Sequence, residues 1–183
     1  MTEATSREEA ASDLDCAMTY REHPSKAVRL AAGELVGYPR AATQDCTLWV
    51  ALPEGPDEWE GVLGKWSSED EAEVVGIPVF AYDLNLGDVV RVVRSAEGAT
   101  VVSGVVTKSG NYTFRVWLED EAQAGEHWKR VMKELEPFGC WFDTWSERLI
   151  AISVTETFAQ SVADYLRARE SASELKYETG RSK

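Results

Sequence analysis

The sequence has no apolar run near the roughly 18 to 20 residues that a bilayer-spanning helix needs. Its N-terminus, MTEATSREEAASDLD, lacks both the basic and the apolar segments of a secretory signal. Cysteine is scarce: Cys16, Cys46 and Cys140 lie far apart, odd in number and without CxxC or Cys/His ligand spacing. That argues against a disulfide framework and against a structural zinc site. Positive charge is also short, with 19 Lys and Arg against 32 Asp and Glu, a formal net charge of −13. A nucleic-acid backbone or an anionic lipid surface would be repelled overall. The motifs GxxxxGKS/T, GxGxxG and HExxH are missing. The expectation is a cytoplasmic protein with reduced thiols, no metal, no cofactor, and neither nucleic acid nor membrane as partner.

What is present suits a folded core. Hydrophobic residues make up 44% and charged residues 28%, ordinary values for a soluble globular chain. The length allows one domain or two small ones in contact. Residues 1–42 read as a helical or partly disordered N-terminal extension. Ala10, Leu14, Ala17 and Met18 make a weak helical stripe. After His23-Pro24, Ser25 is placed to cap a short helix carrying Val28, Ala31, Ala32, Leu35 and Val36, ended by Gly37 and Pro39.

From Thr43 the pattern becomes β. Cys46 to Leu52 and Trp59 to Trp66 read as strands, followed by an acidic loop, SSEDEAE, and Val74 to Ile77. Pro78 excludes a central strand over IPVFAY. The valine-rich runs GDVVRVVRS and ATVVSGVVTKS, joined at Ala96-Glu97-Gly98, predict a hairpin. Asn111 to Leu118 alternates, with Tyr112, Phe114, Val116 and Leu118 on one face. The period then changes to 3.6: Trp128, Val131, Met132 and Leu135 form a helical stripe ended by Pro137 and Gly139. Two strands follow around DTWSER, then a helix from Thr155 or Thr157, then a short strand near Leu175 to Tyr177. The fold class is therefore α+β. A small β-barrel-like subdomain (43–110) precedes a ferredoxin-like βαββαβ subdomain (111–179).

Three segments carry a family resemblance. Gly76-Ile77-Pro78-Val79-Phe80-Ala81, followed after a short gap by Gly87-Asp88-Val89-Val90, resembles the signature of the bacterial domain of unknown function 4265 family. Ser109-Gly110-Asn111-Tyr112-Thr113-Phe114-Arg115-Val116 and Leu135 to Cys140 resemble two further elements of it. Gly76 and Val79 depart from the usual Asn and aromatic residue. The resemblance supports fold boundaries and implies no activity.

Individual residues add little chemistry. Gly87 and Asp88 suit a turn in which the carboxylate holds neighbouring amides. Cys140 follows a helix C-terminus, the wrong end of the dipole for a thiolate, and reads as a small core residue. His127 falls away from the core stripe of its helix, and His23 has a weaker claim still. Among seven tryptophans, Trp145 at a hairpin tip is the candidate exposed hot spot, with Trp59 and Trp66 next. Residues 54–73 concentrate acid, including Glu58, Glu60, Glu69, Asp70 and Glu71, and Glu119 to Glu121 could extend that surface. The leading expectation is a non-enzymatic protein-binding factor, an adaptor, inhibitor or immunity- or antitoxin-like protein. It would dock a basic protein surface through these acids and Trp145. The alternative is a small-molecule-binding or enzymatic domain with a crevice site at Asp83, Asp88, Tyr112, Arg115 and Cys140. A structural subunit of a larger assembly is a third reading.

Overall fold

The computed structural model describes residues 19–23, 26–53, 55, 57–118 and 124–181. Three short strands come first: β1 (Thr19–Glu22), β2 (Val28–Ala31) and β3 (Glu34–Gly37). Five more follow: β4 (Cys46–Ala51), β5 (Glu58–Trp66), β6 (Glu71–Val74), β7 (Val89–Arg94) and β8 (Thr100–Thr107). They pair in the order β5-β4-β8-β7-β6, and β6 pairs back onto β5, closing a five-stranded barrel with β1 added parallel to β5. Leu48, Val62, Ala72, Val74, Leu84, Val90 and Val92 fill its core.

Closure of so small a barrel demands tight curvature and close approach of backbones. The β7–β8 ladder shifts register between Val89 and Val90 and again between Arg91 and Val92. On β5, Gly64 leaves room for its neighbour: a Cβ there would lie 2.5 Å from Leu48 Cγ.

The second sheet continues the chain with β9 (Asn111–Trp117), α1 (Ala124–Leu135), β10 (Trp141–Thr144), β11 (Leu149–Thr155), α2 (Glu156–Ser171) and β12 (Lys176–Thr179). Its order is β12-β9-β11-β10-β2-β3, antiparallel throughout. Alternation decides its two faces. Phe114, Val116, Ile150 and Ile152 pack against Trp128, Val131 and Leu135 of α1 and Val162 and Leu166 of α2. Ala151, pointing the other way, meets Ala27, Ile77, Val79 and Leu86. The segment that joins β6 to β7 thus packs on the face opposite the helices. Among the described residues no helix is long and apolar enough to cross a membrane.

The mixed α+β class and the barrel agree with the sequence reading, and β4 to β8 fall within 43–110 and β9 to β12 within 111–179. The N-terminal segment does not. Residues 28–37 form the β2–β3 hairpin rather than a helix, turning through Ala32 and Gly33, both at positive φ (52° and 81°). That is the twist a two-residue hairpin needs, and Gly33 would weaken a helix at its middle. β1 joins the barrel and β2–β3 the second sheet, so the described part of 1–42 is woven into both sheets. The stripe Ala10 to Met18 lies outside the described residues. The acidic loop is also shorter than expected, because Ala72 and Val74 turn inward and make β6 a strand.

Candidate functional site

Val75 to Asp88 crosses between the barrel and the second sheet without regular secondary structure. Buried amides on such a path need acceptors, and side chains supply them. Glu60, fully buried on β5, accepts N–H groups from Val79 (2.6 Å), Phe80 (3.0 Å) and Ala81 (2.6 Å). The same carboxylate accepts His23 Nε2 at 2.7 Å, while His23 Nδ1 lies 3.4 Å from Asp143 Oδ2, which also takes the Ile77 amide at 3.4 Å. Burial pulls the imidazole pKa down, but the hydrogen bonds and charges of Asp143 and Glu60 outweigh it and lift it to about 9. Burial likewise pushes Glu60 up, and the His23 contact with the Val79 and Ala81 amides reverses this, holding it below the usual carboxylate range.

Further along, Arg115 on β9 donates Nη1 to Glu178 at 2.8 Å and Nη2 to the Ala81 carbonyl, with its guanidinium 4.0 Å from the centre of the Tyr82 ring. Asp88 accepts the Asn85 amide at 2.9 Å and the Ser109 amide at 2.7 Å, beside Gly87 at φ 84°. The segment is therefore clamped from both sheets.

Where it emerges at Tyr82, a groove of about 990 Å3 opens between the end of β4 (Val50 to Ala51, then Leu52 and Pro53) and β12, with Glu170, Tyr177, Glu178 and Arg181 among its lining. The Tyr82 hydroxyl donates to Glu178 at 3.2 Å, and Tyr177 N–H donates to Glu170 at 3.3 Å. A smaller cavity, about 280 Å3, lies over the sheet face between Phe80, Arg115, Trp117 and Leu149.

The residues singled out from sequence scatter against this geometry. Glu60 is buried and cannot belong to an acidic surface. Glu58 pairs with Arg21, Glu71 with Arg91 at 3.5 Å, and Asp70 lies 3.9 Å from Arg91. Glu73, also buried, pairs with Arg40. Glu69 is exposed, and Glu54 and Glu119 to Glu121 lie outside the described residues. Glu60 and Glu73 thus leave the surface, while Glu58, Asp70 and Glu71 stay on it beside arginines of this chain. Trp145 is half-buried rather than presented at a tip: it packs edge-on to Phe80 (4.9 Å) and His23 (5.9 Å) because its hairpin folds onto the crossing segment. Trp59 and Trp66 are half-buried too.

The proposed crevice set does not form one site. Arg115 and Asp88 hold the crossing segment, and exposed Asp83 donates its amide to Gly180 at 2.7 Å. Tyr112 and Cys140 sit on the helix side of the sheet; Tyr112 stacks under Arg181, and burial pushes the Cys140 thiol up to about 12. Sequence reasoning missed Tyr82, Glu170 and the His23–Glu60 pair. The one available signal was Arg115 itself, a charge among apolar neighbours on an interior strand. Among the described residues no cluster of three His, Cys, Asp or Glu side chains is placed to hold a metal ion.

The family model described as Domain of unknown function (DUF4265) matches residues 60–177. The chain belongs to that family. The DUF4265 match begins inside β5, at the clamping Glu60, and runs through the crossing segment into β12, so β1 to β4 precede it. A solved structure described as the novel crystal structure of a hypothetical protein from Neisseria gonorrhoeae is similar to this DUF4265 chain. The TM-score is 0.64 at 19% identity, over 74% of this chain and 94% of that one. The likeness is one of fold. No curated protein matches.

Proposed function

We propose that the protein is a non-enzymatic cytoplasmic binding factor that takes a basic segment of a protein partner in the groove between β4 and β12. The groove carries this reading: about 990 Å3, lined by Leu52, Pro53, Tyr82 and Tyr177, with Glu170 and the Arg115-paired Glu178 beside them and Arg181, drawn over the Tyr112 ring, as the one cation among the described lining residues. Aromatic and apolar walls with a few placed charges are the usual make-up of a binding cleft, and the overall charge of −13 favours encounter with a basic partner. Exposed Glu69 at the β5–β6 turn adds to that attraction and not to the contact. Free Cys46 and Cys140 thiols support a reducing compartment.

The test uses a fluorescent pool of capped hexapeptides with Lys at alternate positions and Val, Ile, Leu, Thr or Tyr between. Binding should weaken with salt, and Glu170→Gln with Glu178→Gln should weaken it about tenfold while keeping an acceptor for Arg115. Absence of binding, or binding indifferent to both changes, contradicts the reading.

The smaller cavity favours a second reading, a site for a small molecule against Phe80, Trp117 and Arg115. A panel of aromatic carboxylates that leaves the melting temperature unchanged would contradict it. We also propose that the second unit is ferredoxin-like with a hairpin added. The order β12-β9-β11-β10, with helices after β9 and β11, supports this; an experimental structure with another order would remove it.

A further inference from the structure

Among the described residues β12 is an edge strand, paired only with β9. The phase of that ladder is set where Gly180 N–H donates to the Thr113 carbonyl at 2.8 Å. In an antiparallel pair, residues alternate between pointing their backbone groups at the partner and away from it. The Gly180 N–H and the backbone groups of Glu178 and Lys176 point toward β9; Tyr177 and Thr179 therefore turn their N–H and C=O groups toward the groove. Tyr177 N–H is met there by the Glu170 carboxylate, at a distance long for a charge-assisted bond. No other strand pairs along this edge among the described residues. Neither proline nor bulge interrupts it, although the strand is short and carries Lys176 and Glu178.

Resting on the binding reading above, we infer that the partner's basic segment binds as an extended strand added to β12. Backbone groups of the segment pair with Tyr177 and Thr179. Side chains of an added strand alternate between two faces. On one face they meet Glu178, which accepts from Arg115 and shares that face with Lys176; on the other they meet Tyr177, which packs beside Phe114. The segment that fits alternates Lys or Arg with apolar residues. Glu170 holds the place of its first carbonyl: on binding, the carboxylate passes from Tyr177 N–H to a basic side chain of the segment.

Thr179→Pro tests this, because it removes a groove-facing N–H and leaves the β9 ladder untouched, and proline is tolerated on the open side of an edge strand. Thr179→Ala keeps the N–H. With the same lysine-alternating hexapeptide pool as probe, Thr179→Ala should bind within about twofold of wild type and Thr179→Pro at least about tenfold more weakly. Should Thr179→Pro not fold, wild-type protein is measured against the tightest peptide N-methylated at its odd or at its even residues. One of the two should lose binding about tenfold and the other keep it. If the pool does not bind wild type, both the binding reading and strand addition fall. If the pool binds, but Thr179→Pro and both methylated peptides bind equally well, strand addition alone falls.

Discussion

His23 Nε2 lies 2.7 Å from Glu60 Oε1, with both side chains wholly shielded from solvent. One imidazolium thereby joins the residue after β1, the barrel strand β5, the second sheet through Asp143 and, through the shared carboxylates, the amides of the crossing segment. The groove at Tyr82 depends on that segment holding its path.

The pH dependence of stability should report this contact. The pKa of His23 is about 9 in the folded protein against 6.5 for a free imidazole. A group raised on folding stabilises fully below its unfolded value and loses that contribution as pH rises through its folded value. Urea unfolding should therefore show a loss of ~3 kcal/mol between pH 6.5 and 9. His23→Gln should flatten the profile in that window, whereas an equal decline in the variant contradicts the assignment.

Removing the carboxylate should cost more than removing an ordinary hydrogen bond. Glu60→Ala leaves a buried cation and three amide donors without their acceptor, a loss of about 3–5 kcal/mol. Hydrogen exchange should localise it, with the amides of Val79, Phe80 and Ala81 losing protection before those of β9. Unchanged protection at Val79 to Ala81 contradicts the clamp.

Barrel closure should fail at Gly64. A methyl group there meets Leu48 Cγ at 2.5 Å and Cys46 Sγ at 2.8 Å, atoms too near the backbone to swing aside. Gly64→Ala should lose about 1–3 kcal/mol by overpacking, measured as a shift in the urea midpoint; a neutral effect would mean that β4 and β5 are not so closely packed.

The β2–β3 turn offers the opposite sign. Ala32 occupies φ 52° beside Gly33, where asparagine is tolerated far better than alanine. Ala32→Asn should stabilise the protein by up to about 1 kcal/mol, seen as a higher melting temperature, and a lower one contradicts the hairpin.

These residues also mark where the sequence was legible. Valine-rich runs about a short turn announced β7 and β8, Pro78 kept its segment out of the sheet, and the change from period two to 3.6 located α1. Each is a local rule acting within a few residues. The hairpin at Ala32 was not legible, since Val28, Ala31 and Leu35 satisfy a helical and a paired reading alike and no residue type signals positive φ at an alanine. Glu73 looked like part of a solvated acid run because its partner, Arg40, lies 33 positions earlier. The His23 contacts span 37 positions to Glu60 and 120 to Asp143, and only the packing of two sheets brings them together. Tyr82, Glu170 and the groove-facing edge of β12 belong to the same class: the groove exists only once barrel and second sheet stand side by side.

The most direct test of the binding account is a map of amide chemical shifts in the intact protein as the lysine-alternating peptide pool is added. Changes should concentrate at Leu52, Tyr82, Tyr177 and Thr179, with Thr179 N–H also gaining protection from exchange. Changes confined to the β5–β6 turn at Glu69 and Asp70, or none at β12, would contradict it.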